Sequence, residues 1–96
     1  MNTAKQFTQL MEIAERALEA DNLEMEAKFA KGDLSEAYVS YKTDRKLDDI
    51  KRGSDEWDGM LLATKSEYEV SSKAKRQAYN AKRRLQSSII RYRAGA

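Results

Sequence analysis

The chain has 96 residues, a formal net charge of +2 and no Cys, His or Pro. This length is sufficient for one domain. The absence of Cys and His excludes disulfide frameworks, zinc thiolate sites and catalysis by a thiol or an imidazole. Half of the residues are Ala, Glu, Lys, Leu or Arg, a composition typical of long helices and coiled coils. Leu, Ile, Val and Phe number only 16, so the core must be thin, rich in Ala or shared with a partner.

The first predicted helix spans residues 3–31. Thr3 and Gln6 have the spacing of a capping box at its start, and Gly32 is a natural stop after its end. Its apolar residues lie on one face with an eleven-residue period, which is typical of a nearly straight helix. These residues are Phe7, Met11, Ala14, Leu18, Met25 and Phe29. A local cap near Asp21 would break this helix, and the sequence leaves that alternative open.

The second predicted helix spans residues 33–52. Asp33 and Glu36 form another capping box, and Gly53 ends the helix. Its apolar residues follow two edges, which indicates contact with two neighbours. Residues 1–69 hold all 16 Asp and Glu against 10 Lys and Arg. We therefore expect the first two helices to form an acidic hairpin.

The third predicted helix spans residues 54–93. Ser54 can cap it, Asp55 and Glu56 fall in its first turn, and Gly59 is its only breaker. A packing stripe recurs with an eleven-residue cycle and consists of Val70, Ala74, Ala78, Ala81, Leu85, Ile89 and Tyr92. The sequence thus predicts one all-α domain over residues 1–96, a bundle or coiled-coil-like assembly of an acidic hairpin and a long basic amphipathic helix.

A basic face lies opposite this stripe. Residues 70–96 carry eight Lys and Arg and no acid. Five cations are predicted to share one exposed edge: Lys73, Arg76, Arg83, Arg84 and Arg91. A solvated helix face normally mixes charges of both signs at i and i+4. Repulsion among the five cations therefore predicts an acidic neighbour, either within the chain or on a partner. A basic face that is simply solvated is the alternative.

Catalytic and metal chemistry have little support in the sequence. The acidic pairs near Asp48 and Asp55 match no calcium-loop spacing, and no nucleophile elbow, phosphate loop or paired-acid motif occurs. We expect no enzyme activity, no metal and no cofactor. No stretch is apolar enough to cross a bilayer, and the first residues lack the apolar core of a signal peptide. A cytoplasmic protein without membrane contact is the expectation.

The carboxyl half resembles small helical accessory proteins carried by bacterial viruses, some of which block host nucleases such as RecBCD or CRISPR complexes. The resemblance covers about 40 residues and rests on a helical pattern rich in Ala, Arg and Lys. It includes Glu56, Trp57, Ala63, Thr64, Lys65, Glu67, Tyr68, the run Ala74 to Arg76 and the run Ala81 to Leu85. No functional residue is carried over by it. It implies action by binding and occlusion.

The functional expectation is a protein–protein interaction module that binds a host protein or protein complex, as a viral inhibitor or modulator of a nucleic-acid-processing machine. Either the acidic hairpin or the basic helix could make the contact. One alternative is a nucleic-acid-binding protein that uses the basic helix directly. Another is a structural homodimer or larger oligomer in which two rods pair through the Ala-rich packing stripe.

Overall fold

The computed structural model describes residues 3–95; residues 1, 2 and 96 of the predicted domain lie outside this range. Three helices follow one another in the chain, α1 Thr3–Asp44, α2 Asp55–Ala63 and α3 Lys65–Arg93, and residues 3–95 contain no strand. The prediction of an all-α protein with three helices is confirmed.

The two long helices form an antiparallel pair. The carboxyl end of α3 lies beside the amino end of α1, since Arg91 contacts Glu12 and Arg84 contacts Glu19. The resulting rod measures 66 × 19 × 17 Å, and its length matches 42 residues of helix at about 1.5 Å per residue. Its radius of gyration is 20.4 Å, whereas a compact domain of this length would have one of about 12.5 Å.

A seven-residue repeat defines the contact between α1 and α3, which we call the inner seam. On α3 the shielded positions alternate at spacings of four and three. They are Glu67, Ser71, Ala74, Ala78, Ala81, Leu85, Ser88 and Tyr92. On α1 the matching positions are Gln9, Ile13, Arg16, Ala20, Leu23, Ala27, Ala30, Leu34, Ala37 and Tyr41. A mean spacing of 3.5 residues is that of a left-handed coiled coil.

The core is thin because small side chains dominate it. Within residues 3–95, no large side chain is less than 2 % exposed. The buried residues are Ala20, Ala30, Met60, Thr64, Ala74, Ala78, Ala81 and Ser88. Small residues let two helix axes approach closely, but each contributes less burial energy than the roughly 1.5–3 kcal/mol of a large apolar side chain.

The predicted hairpin of the first two helices is wrong. Gly32 lies inside α1, which runs on to Asp44, so residues 3–44 form one helix. An interior Gly costs a helix only about 1 kcal/mol relative to Ala. The seam residues on both sides of Gly32, among them Ala30 and Leu34, pack against the same neighbour and hold the helix together. The alternative break near Asp21 does not occur either.

α1 ends just before Lys46, a residue type that does not predict the end of a helix. Lys46 adopts a positive φ of 55°. The Leu47 amide donates to the Lys42 carbonyl at 2.8 Å, and the Lys46 amide donates to the Thr43 carbonyl at 3.2 Å. These two bonds form a Schellman motif. Gly is the usual residue at the left-handed position of this motif, which Lys46 occupies here. The predicted helical segment 45–52 is instead the connection to α2.

The predicted third helix is divided at Thr64 into α2 and α3. Ser54 caps α2 as predicted, since its hydroxyl accepts the Trp57 amide at 3.2 Å. Thr64 is buried, and its hydroxyl donates to the Met60 carbonyl at 2.7 Å. Hydrogen bonds from Thr64 to Met60 and from Tyr68 to Thr64, both 3.0 Å, bridge the division. The two helices therefore behave as one helix with a single irregular residue.

Gly59 lets α1 approach α2. A methyl group at Gly59 would stand 2.6 Å from the Tyr41 hydroxyl oxygen, while the next ring atom lies 3.8 Å away. Only the hydroxyl oxygen therefore conflicts with a side chain at this position. The Tyr41 ring is also held by Arg45, whose guanidinium lies 4.0 Å from the ring centroid.

Gly32→Ala should raise the free energy of unfolding by about 0.5–1 kcal/mol, because Gly32 is helical and a methyl group there meets no atom within 4 Å. Urea denaturation followed by circular dichroism measures the change. If the variant were less stable than the native protein, the result would show that α1 needs an interruption of its helical backbone at Gly32.

Gly59→Ala should lower stability by about 1 kcal/mol, because displacing the Tyr41 ring costs more than the helix propensity that Ala gains. In a Tyr41→Phe background the same substitution should be neutral or stabilising, since the conflicting oxygen is gone. A double-mutant cycle measured by urea denaturation tests this reversal of sign. Equal effects in both backgrounds would contradict it.

Candidate protein-interaction surfaces

The five predicted basic-face cations divide into two groups. Arg84 and Arg91 turn toward α1, where Arg84 pairs with Glu19 and Arg91 Nη2 lies 3.0 Å from Glu12 Oε1. Both side chains are exposed, at 43 % and 60 %, but unlike the other three cations they are paired with acids of α1. The prediction assumed an eleven-residue cycle, whereas the inner seam follows seven residues and brings Arg84 and Arg91 around toward the acids of α1.

The remaining three cations form the ridge, defined as Lys73, Arg76 and Arg83. They lie on the side of α3 that faces away from α1. None of them forms an ion pair with a described acid. The Arg83 guanidinium lies 5.9 Å from the centroid of the Tyr79 ring. The acidic neighbour that the sequence calls for is thus internal for Arg84 and Arg91, and the ridge has no such neighbour in residues 3–95.

An open groove adjoins the ridge between α1 and α3, with a volume of about 780 Å³. Its apolar lining consists of Met25, Ala27, Leu34, Tyr68, Ala78 and Tyr79. Its charged lining consists of four lysines and two acids: Lys28, Lys31, Lys75, Lys82, Asp21 and Glu24. Lys82 pairs with Glu24, whereas the other three lysines form no ion pair in residues 3–95. We call this feature the basic groove; sequence reasoning missed it because it combines residues more than 30 positions apart.

The packing stripe predicted on α3 lies mostly against α1. Ala74, Ala78 and Ala81 are buried, and the side chains of Leu85, Ile89 and Tyr92 are half-buried. Val70 is an exception at 59 % exposure, because its neighbour Ser71 occupies the seam position. Since α1 of the same chain covers the Ala residues, pairing of two rods through this stripe would require α1 to be displaced.

A network of charged hydrogen bonds closes one edge of the inner seam. Glu19 accepts from Arg84 and, at 3.2 Å, from Arg16. The Ser88 hydroxyl, which is buried, donates to Glu12 at 3.3 Å. The hydrogen bonds from Arg84 and then Arg16 lower the pKa of the Glu19 carboxyl below its usual value. These contacts hold the two long helices in register.

Within residues 3–95, no group of three or more acidic side chains is placed to hold a metal ion. Every helix in that range is too polar or too short to cross a bilayer. Comparison with known proteins finds no matching family model, curated protein or solved structure.

Stability should fall more steeply in acid for the native protein than for Glu19→Gln. A carboxyl whose folded pKa is depressed contributes stability above its unfolded pKa of about 4.3 and loses it as the pH falls through the lower folded value. Thermal melts from pH 7 to pH 3 compare the two. Glu15→Gln removes an acid that forms no ion pair in residues 3–95. Its melting temperature should fall with pH as steeply as that of the native protein. The same pH dependence in all three proteins would contradict a contribution of Glu19 to stability.

Proposed function

We propose that this protein is an interaction module that binds an acidic segment of another protein along the basic groove and the ridge. The observation that carries the proposal is the continuity of these two features. Tyr79 lines the groove, and Arg83, a ridge residue, lies over its ring. An amphipathic acidic helix could place its apolar side on the exposed rings of Tyr68 and Tyr79 while its carboxylates meet Lys75 and the ridge.

The apolar lining favours a protein partner over a nucleic acid. Tyr68 and Tyr79 are 57 % and 61 % exposed and offer ring surface that a phosphate backbone does not bury, whereas an amphipathic helix buries apolar surface there. Binding of nucleic acid through the ridge alone would neutralise about three phosphates and give a slope of log affinity against log salt near −3. Direct nucleic-acid binding through the same cations is therefore the alternative that an experiment must separate.

Occlusion is the mode of action that this arrangement supports. The protein offers a charged groove and a ridge on a rigid rod, and a partner segment held there is withdrawn from its own ligands. The resemblance of the carboxyl half to viral accessory proteins makes a host nucleic-acid-processing complex the specific partner class of the proposal. Phosphate mimicry by acids of α1 has less support, because Glu12, Glu19 and Glu24 are already paired with cations of α3.

The double variant Arg76→Glu with Arg83→Glu should lose its protein partner, because two carboxylates would replace the ridge cations that face the acidic segment. Affinity capture from bacterial lysates, with mass spectrometry of the retained proteins, compares this variant with the native protein. We expect a partner of the native protein to be depleted at least tenfold on the variant column.

The matched control is Lys5→Glu with Lys51→Glu, which makes the same charge change at two exposed positions away from the ridge. It should retain the partner. A gel shift with DNA and RNA at low salt completes the design. Loss of the partner with both double variants, or a gel shift that the ridge variant abolishes with no protein captured, would contradict the proposal.

A further inference from the structure

The outer face of α1 has no covering partner in residues 3–95, although it carries large apolar side chains. The sequence predicts this face as a packing surface, yet α3 packs on the opposite side of the helix. Phe7 is 65 % exposed, Leu18 67 % and Phe29 68 %. Met11 and Met25, between them, are about half exposed. These five side chains together expose on the order of 600 Å², at the upper end of the patches found on monomeric proteins.

The whole molecule shows the same excess of surface. Its accessible area is 7539 Å², whereas a compact monomer of 11.0 kDa would expose about 5,600 Å². The elongated shape accounts for part of this difference in accessible area. The area also includes the exposed apolar side chains on the outer face of α1, whose contact with water is unfavourable. A surface of this kind calls for a protein that covers it.

The order of residues on this face is a palindrome. We define the outer stripe as Phe7, Met11, Ala14, Leu18, Asn22, Met25 and Phe29. Read from either end, Phe, Met and a small residue precede Leu18, and the spacings are 4, 3, 4, 4, 3 and 4. Leu18 is the centre. In a two-fold interface a residue i that contacts residue j is also contacted as j by i, so this order about Leu18 places Phe beside Phe and Met beside Met.

We propose that the outer stripe binds a second copy of this chain in the antiparallel direction, with the two-fold axis at Leu18. Phe7 then packs near Phe29 of the second copy, and Met11 packs near Met25 of the second copy. Leu18 meets Leu18 of the second copy at the centre. The four long helices form one layer with the two α1 helices in the middle, so each α3 ridge stays on an outer edge.

Charges beside the outer stripe tolerate this pairing. Glu15 of one copy comes to lie at the level of Asp21 of the second copy, but on the opposite side of the stripe. On its own side, Glu15 adjoins the neutral Asn22 of the second copy. Glu19 of the second copy lies two residues away along the axis, but it is turned toward its own α3 and paired with Arg84, and Glu26 of the second copy is offset by five residues, or about 7.5 Å. Exposed charges at such separations are substantially screened at physiological ionic strength.

The size of the outer stripe sets the expected strength. About 600 Å² from each copy gives a total at the lower end of stable interfaces. The pair should therefore form at micromolar concentrations rather than at nanomolar ones. The outer stripe and the basic groove share Met25, whereas the ridge lies on α3 alone, so variants of the ridge and of Leu18 test the proposed function and this inference separately.

Sedimentation equilibrium of the full chain at about 50 μM tests the pairing. The native protein should have a mass near twice 11.0 kDa. Leu18→Glu should reduce it to that of the monomer, since two carboxylates would meet at the axis. Val39→Glu is the matched control: Val39 is also exposed on α1 at 63 %, but it lies beyond the outer stripe, so this variant should remain dimeric. Circular dichroism checks that both variants are helical.

Cysteine cross-linking tests the direction of pairing, and the chain has no Cys of its own. Leu18→Cys should form a disulfide-linked dimer on mild oxidation. Phe7→Cys and Phe29→Cys should not cross-link separately, but should do so when the two proteins are mixed. Parallel pairing would instead cross-link Phe7→Cys with itself.

Four results would overturn the inference. They are a monomeric native protein at 50 μM, a Leu18→Glu variant that stays dimeric, a mass well above two chains, and self-cross-linking of Phe7→Cys. A ridge variant that loses its host partner but remains dimeric would show that the ridge does not take part in dimer formation. Failure of the proposed function and failure of this inference are therefore distinguishable.

Discussion

The close approach of α1 and α3 along a seam of small residues is the constraint on which the rest of the structure depends. Ala20, Ala30, Ala74 and Ala81 bury little surface each, so the seam holds two helices together but leaves no apolar surface for a third layer. The larger seam residues, such as Leu23, Leu34 and Leu85, are only half-buried, and most of the other large apolar side chains lie outside the seam. The exposed outer stripe, the basic groove and the ridge all follow from one thin contact between two long helices.

Helical content and the basic character of the carboxyl half could be predicted, because both depend on composition and on acids absent from residues 70–96. The buried face of α3 could be predicted in part, since Ala74, Ala78 and Ala81 belong to the predicted packing stripe and are buried, whereas the buried face of α1 could not. Hydrophobic periodicity selects Phe7, Leu18 and Phe29 at eleven-residue spacing, whereas the seam selects a seven-residue repeat that includes Arg16 and Ser88. Polar residues fit the seam because they can reach charged partners at its edge, and no count of apolar residues finds them.

Helix boundaries depend on tertiary contacts that local signals do not contain. Gly32 is a strong stop signal, yet the packing of α1 along its length outweighs a cost of about 1 kcal/mol. Lys46 carries no stop signal, yet it takes the left-handed conformation where α1 leaves its neighbour. For the basic face, the positions of all five cations follow from the sequence, and only the supercoil places Arg84 and Arg91 beside Glu19 and Glu12.

The antiparallel connection between α1 and α3 also orders the way this chain folds. Residues near the turn at 45–54 meet partners close in sequence, while Arg91 and Glu12 must close a segment of nearly 80 residues. Helix pairing should therefore begin at the turn and proceed toward the free ends in the manner of a zipper. Amide hydrogen exchange would accordingly be slowest beside Met60 and Thr64 and fastest near Phe7, where the chain frays first.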